Sequence, residues 1–200
     1  MIKAGDLTKS FGNRTVLKGI TLHIKAGEVV WLIGPNGAGK TTLVRILATL
    51  TPPTSGTLHI AGLDVHQSVN IMTIRHHIGF LSHQTWLYDD LSVEQNLTFY
   101  AQLYNTPDSP TRIGELLERL ELVARRQDLV RTLSRGMQQR LAIARAVLHR
   151  PRILLLYEAY TGLDVSASRA MTSILNTLSR DGCTIILTAH DKKRITNDEL

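Results

Sequence analysis

The stretch Gly34-Pro35-Asn36-Gly37-Ala38-Gly39-Lys40-Thr41-Thr42 constrains the chain more than any other. It has the form G-x-x-x-x-G-K-T, a glycine turn between a strand and a helix that can cradle phosphate groups. Glycine reaches backbone angles closed to residues with a Cβ, so Gly34, Gly37 and Gly39 let successive N–H groups turn inward. Those donors, with the N-terminus of the helix that follows, favour a bound polyphosphate. Lys40 brings a mobile point charge to the outer phosphates, and the Thr41 hydroxyl is placed to ligate a magnesium ion. Glu28 to Ile33 is a short apolar, β-branched run, which predicts a buried strand before the loop. After it, Leu43, Ile46, Leu47 and Leu50 recur at helical spacing. Strand, glycine loop and helix is the order the motif requires; the bland alternative is an ordinary glycine turn before a helix.

The rest of the chain alternates strands and helices. Ile2 to Leu7 and Val16 to Ile24 read as strands around a turn at Phe11-Gly12-Asn13-Arg14. Phe11 either stacks on a purine ring or packs in the turn. Thr51 to Gly56 is a loop, Thr57 to Ile60 a short strand, and Ile78 to Leu81 another, followed by a loop from His83 and Gln84 to Asp90. Ser92 and Gln95 have the spacing of a capping box, which predicts a helix through Leu97, Tyr100, Ala101 and Tyr104. Thr106 to Pro110 breaks it, and Leu116, Leu117 and Leu120 line a second helix. Residues 92–132 thus read as an all-α insertion. Ser134 is a good N-cap for a further helix ending at Arg150-Pro151. Ile153 to Leu156 is a continuous apolar run suited to a central parallel strand, and Thr184 to Leu187 reads as a last central strand, with a helix from Val165 to Arg180 between them. This alternation implies an α/β fold with a mostly parallel sheet. Ligands of such sheets bind beyond the carboxyl ends of the strands, where the loop Gly34 to Thr42, Glu158 and His190 all fall.

The 200 residues suffice for one sizeable domain, and 43% hydrophobic with 20% charged residues is the composition of a globular protein. No apolar run approaches the ~20 residues needed to span a bilayer, and no charged-then-apolar leader opens the sequence. Cys183 is the single cysteine, which excludes an intrachain disulfide and fits a small hydrophobe in a reducing cytosol. The net charge of +6 reflects either an anionic partner or a solvated basic face; scattered Lys and Arg favour the second.

From Phe11 to His190 the chain resembles the ATPase subunits of ABC transporters, with motifs in that family's order. The most specific stretch is Leu133-Ser134-Arg135-Gly136-Met137-Gln138-Gln139-Arg140, similar to the family signature L-S-G-G-Q-x-Q-R but with Arg135 for Gly and Met137 for Gln. The resemblance implies a P-loop NTPase fold of ABC ATPase type: one domain over 1–200, an N-terminal antiparallel β part and a helical subdomain inserted at about 92–132. It implies that ATP and magnesium bind. Phe11 would stack on adenine, Gly34, Pro35, Asn36, Gly37, Ala38, Gly39, Lys40, Thr41 and Thr42 would hold the phosphates, and Glu158 would polarise the attacking water. His190 would contact the γ-phosphate; taken alone, it would be an ordinary loop histidine. Ser134, Arg135, Gly136, Met137 and Gln138 would close on ATP held by a second subunit, with Asp164 at that interface. Thr41 and either His83 or Gln84 would be linked to the metal. Two departures fall beside the metal: Tyr157 stands where the family has Asp, and Ala159 where it has Pro.

Family members usually continue for tens of residues past the histidine, whereas only Asp191 to Leu200 follow here. This shortness, with Ser82-His83-Gln84 and Leu87-Tyr88-Asp89-Asp90-Leu91-Ser92, is most similar to the haem-exporter ATPases of cytochrome c biogenesis, with drug and polysaccharide exporter ATPases as close competitors. The expected partners are a second ATPase subunit, as a homodimer or a pair, and an integral membrane permease. The expected place is the cytoplasmic face of the cell membrane. Trp86, Leu87 and Tyr88 either dock the permease or cover the domain's own core. Nucleic acid is not an expected partner, because ABC-type ATPases acting on ribosomes or DNA carry two such domains or a long coiled coil. A degenerate nucleotide-binding subunit remains the reading that Tyr157 favours, and a phosphoryl-transferring kinase would leave the signature stretch unexplained.

Overall fold

The computed structural model of the chain describes residues 1–82, 84–158, 160 and 165–189. Two four-stranded sheets form its frame. The first is antiparallel and runs in the order β2 (Arg14–Ile24), β1 (Ile2–Phe11), β4 (Ser55–Ile60), β5 (Leu63–Asp64). The second is parallel and runs in the order β3 (Val29–Ile33), β8 (Thr184–Ala189), β7 (Ile153–Leu156), β6 (Ile78–Leu81). The expected strands therefore all form, and the antiparallel part lies N-terminal to most of the parallel one.

Side-chain alternation on the parallel strands decides what packs where. On β7, Ile153 and Leu155 face one apolar cluster and Leu154 and Leu156 the other. On β8, Ile186 joins the first cluster and Ile185 and Leu187 the second. The first cluster seats helix α1 (Lys40–Leu47) between this face and the antiparallel sheet, through Leu43, Val44, Ile46 and Leu47 against Ile2, Leu7, Leu58 and Ile60. The second is the larger core. It is built with α3 (Val93–Leu103), α4 (Ser109–Arg119), α5 (Arg135–Val147) and α6 (Val165–Arg180). Strands buried on both faces favour apolar residues at successive positions, which is why β7 reads as an unbroken apolar run and β8 carries Ile185, Ile186 and Leu187 in succession.

Local signals placed the starts of α3 and α5 correctly. Ser92 Oγ accepts from Gln95 N at 3.1 Å and Gln95 Oε1 accepts from Ser92 N at 2.8 Å, the reciprocal box that starts α3. Ser134 Oγ accepts from Met137 N at 3.3 Å at the start of α5. Between α4 and α5 only two short 3-10 turns form, at Val123–Arg125 and Val130–Thr132.

Three expectations are corrected. The strand before the glycine loop is not buried: β3 pairs only with β8 among the described residues, and Ile33 is 41% exposed. Leu50 does not belong to the apolar face of α1, because the helix ends at Leu47 and Thr49 takes a left-handed φ of 56°, which leaves Leu50 exposed. A helix that the apolar periodicity did not reveal, α2 (Ser68–His76), buries only Ile74 and exposes Val69 and Met72.

Candidate nucleotide site

The parallel strands end on one side of the sheet, and the residues that follow β3 and β7 meet there. A depression of about 640 Å³ is lined by Arg14, Val16, Asn36 to Thr42, Tyr157 and Glu158. Its floor is the turn from β3 into α1. Gly37 and Gly39 take φ of 80° and 91°, the left-handed region that glycine enters without a Cβ clash. Gly39 is also pressed against β2: a Cβ there would lie 2.8 Å from Leu17 Cδ2. Gly34 has no such φ, so of the three glycines two supply the turn. Gly39 is the N-cap of α1 and no side chain caps that end, so the first N–H groups of the helix belong to the depression. The Lys40 ammonium donates to Gly34 O at 2.5 Å and Pro35 O at 3.0 Å, which holds it across the mouth of the loop.

The opposite wall comes from the end of β7. Tyr157 N donates to Leu81 O at 2.9 Å and Glu158 N donates to Thr188 Oγ1 at 3.0 Å, which anchors this segment to β6 and β8. Glu158 has a φ of 51°, costly for a residue with a Cβ and of the kind held at functional sites. Thr41 Oγ1 donates to Tyr157 Oη at 2.7 Å, and Tyr157 Oη donates in turn to Glu158 Oε1 at 3.0 Å. Burial pushes the Tyr157 phenol above its ordinary pKa. The bond from Thr41 opposes this and the Glu158 carboxylate adds to it, so the hydroxyl is neutral at physiological pH.

Among the described residues, these oxygens alone do not enclose a magnesium ion. Magnesium asks for near-octahedral oxygen ligands at about 2.0–2.1 Å, several of them supplied by water and phosphate in nucleotide sites. Here the Thr41 hydroxyl, the ligand that the sequence assigns to the ion, is hydrogen-bonded to a phenol, and Glu158 is the one carboxylate lining the depression among the described residues. No group of three or more His, Cys, Asp or Glu residues suited to a metal occurs among the described residues.

The other predicted site residues fall elsewhere. Gln84 lines a second depression, of about 730 Å³, with Thr85, Trp86, Arg135, Gln138 and Gln139. Ser134 and Arg135 are exposed, Gly136 is half-buried and Met137 packs against the helical core. Gln138 Nε2 donates to Val130 O at 3.1 Å. Arg140 turns away from this surface and donates to Leu120 O at 3.2 Å and Glu121 Oε2 at 3.0 Å, tying α5 to the end of α4. The start of α5 and the glycine loop therefore line separate depressions within one chain. Phe11 is 53% exposed at the tip of the β1–β2 hairpin, with the Lys9 ammonium 5.0 Å from its ring centroid. Of the loop residues Trp86, Leu87 and Tyr88, the first and last are exposed and Leu87 packs against the larger core. His83, Asp164 and His190 lie outside the described residues. Arg14 and Val16 line the nucleotide depression although nothing in their local sequence singles them out; only the return of β2 beneath the loop brings them there.

Several known proteins are similar to this chain. It is 31% identical over 192 residues to the linearmycin resistance ATP-binding protein LnrL of Bacillus subtilis, covering 95% of this chain and 61% of that protein. It is 36% identical over 182 residues to the daunorubicin resistance ATP-binding protein DrrA3 of Streptomyces coeruleorubidus, covering 90% of this chain and 57% of that protein. The chain thus spans about six-tenths of these relatives' lengths. Among solved structures, the dimeric post-hydrolysis state of the ATP-binding cassette MJ0796, bound to ADP and Pi, superposes with a TM-score of 0.85 at 31% identity over 96% of this chain and 89% of that one. The fold is accordingly that of the ABC ATPases, a P-loop NTPase with an antiparallel β part, a parallel sheet and helices. Residues 17–161 match the ABC transporter family, and the chain belongs to that family.

Proposed function

We propose that this chain is the ATP-binding and ATP-hydrolysing subunit of a membrane exporter, forming one domain over 1–200. The observation that carries the reading is the glycine loop itself. Left-handed Gly37 and Gly39 lead into α1, with Lys40 over the mouth and Glu158 across the depression. A triphosphate would lie against the loop amides and the first turn of α1, with Lys40 and Arg14 meeting its charge. Glu158 would orient and accept a proton from the water that attacks the terminal phosphate. Because phosphoryl transfer is mostly a matter of positioning and electrostatics, a neutral phenol at 157 in place of a carboxylate makes slow turnover the expected behaviour.

Ser134, Arg135, Gly136, Met137 and Gln138 would act on nucleotide bound by a second copy or a paired ATPase subunit, since Arg135 and Gln138 line a separate depression from the glycine loop. His190 and Asp164 keep the roles that the family resemblance implies for them. No helix among the described residues is long and apolar enough to cross a membrane, so the translocation path would be supplied by a permease partner. A small, mostly apolar depression lined by Leu50, Phe80, Trp86, Tyr100, Tyr104 and Arg145 would receive that partner at the cytoplasmic membrane face. For the cargo, the drug-resistance relatives favour a drug-like compound over haem.

Lys40→Ala tests the core of this reading. Losing a charge-assisted contact to phosphate should weaken ATP binding by about tenfold or more. Titration calorimetry with ATP measures it, and unchanged affinity and turnover would refute the assignment.

A further inference from the structure

The two hydroxyls and the carboxylate at the edge of the nucleotide depression form a closed relay: Thr41 Oγ1 to Tyr157 Oη at 2.7 Å, then Tyr157 Oη to Glu158 Oε1 at 3.0 Å. Thr41 is the second residue of α1 and Tyr157 follows β7, so the relay joins the two walls across 116 residues of chain. We propose that Tyr157 is a latch that joins Thr41 and Glu158 by hydrogen bonds and engages the Thr41 hydroxyl that would otherwise be offered to a divalent cation, so that this site accepts a nucleoside triphosphate in its metal-free form. The inference rests on the reading of the depression as a triphosphate site.

Geometry supports the latch in three ways. The Tyr157 ring packs against the apolar cluster beneath the antiparallel sheet, and its backbone N–H is fixed to Leu81 O, so rotating the phenol out would cost packing. Its oxygen lies at hydrogen-bond distance from both neighbours, longer than the about 2.0–2.1 Å of magnesium–oxygen bonds, so it links the two groups without a metal. Its charge is zero, whereas a metal bridge would add two positive charges. Lys40, Arg14 and the loop N–H groups are then left to neutralise the phosphates. The donated hydrogen bond moderates Glu158, the one carboxylate lining the depression among the described residues and one that would otherwise repel the γ-phosphate.

The test is ATP affinity of the full chain in excess EDTA and in millimolar magnesium, by calorimetry. The wild-type chain should bind ATP equally in both buffers. Tyr157→Phe keeps the ring but removes both hydrogen bonds, and metal-free ATP should bind it about tenfold more weakly. Tyr157→Asp should restore a metal preference, with ATP bound about 10–100-fold more tightly in magnesium than in EDTA. Lys40→Ala runs beside them to separate the two levels of the argument. If Lys40→Ala loses the signal but wild type and Tyr157→Phe both bind at least tenfold more tightly with magnesium, the latch is overturned and the site stands. If Lys40→Ala binds as wild type does, the site reading fails and the latch falls with it. Should Tyr157→Asp not fold, wild type against Tyr157→Phe still decides the question.

Discussion

Tyr157 places a neutral hydroxyl between Thr41 and Glu158, and His149 places a buried imidazole against Tyr104. The His149 ring stacks on Tyr104 with centroids 3.9 Å apart and planes 5° apart, and its Nε2 donates to Ile78 O at 3.1 Å. Its Nδ1 is buried and has no hydrogen-bond partner among the described residues. Burial lowers the pKa to about 4; the bond to Ile78 O opposes this, and the nearby His76 and Arg145 reinforce it. The native imidazole is therefore neutral, while the unfolded one titrates near its ordinary 6.5. The sign follows from linkage: the unfolded chain binds the extra proton, so stability falls as pH drops below 6.5 and the loss is complete below about 4. From the shift to about 4 this amounts to about 3 kcal/mol. Urea midpoints measured from pH 7.5 down to 4.5 should show that slope, and His149→Gln should flatten it. An equal slope in both proteins would remove His149 as its source. Cys183 lies at the other extreme: its buried thiol, donating to Pro151 O at 3.4 Å, is pushed up to about 12 and is a packing group with no thiolate chemistry at neutral pH.

At the scale of elements, α5 decides how the two halves of the molecule join. Its residues Gln139 to Val147 are all buried, an arrangement that suits a helix enclosed on every side. Arg145 is held there by a bond to Phe80 O at 2.8 Å, with its guanidinium 5.4 Å from the Tyr100 ring centroid, so one cation links α5 to β6 and α3. The close approach of α5 to β6 depends on Gly79, where a Cβ would lie 2.3 Å from Ala146 O. The clashing atom is backbone and cannot rotate away. Gly79→Ala should therefore destabilise the protein by about 1–3 kcal/mol or more, as overpacking does elsewhere. Thermal unfolding measures this directly, and a melting point equal to wild type would mean that α5 can shift freely on the sheet. Because the glycine loop lies on other elements, ATP should still bind Gly79→Ala below its melting point.

On the scale of the whole molecule, the glycine loop opens from β3 into α1 and the Ser134 cap opens α5, whose Arg135 and Gln138 line a different depression from the loop. If both contact nucleotide, a single chain does not complete the site and a second must. Mixing Lys40→Ala chains with Ser134→Arg chains should then rebuild one composite site from the two intact halves. ATPase activity of the mixture should exceed that of either variant alone. Activity equal to the average of the two would argue for sites complete within one chain.

The local physics of this protein was legible before any fold was known. The loop at Gly34 to Thr42, the capping box of Ser92 and Gln95, the Ser134 cap and the apolar runs of β7 and β8 each depend on neighbours a few residues away. Such spacings survive in a linear string. What the string could not carry were contacts between distant segments. Tyr157 looked like a missing carboxylate, and only the approach of β7 to α1 put its hydroxyl between Thr41 and Glu158. Arg140 ends the signature-like stretch in the sequence, and only the crossing of α5 and α4 directs it to Leu120 O. The half-exposed β3 followed from strand order, and α2 was invisible because it buries a single residue. Periodicity records which face of an element is buried, but not which other element covers it; that is decided by chain closure over long separations and by the packing that only one arrangement permits.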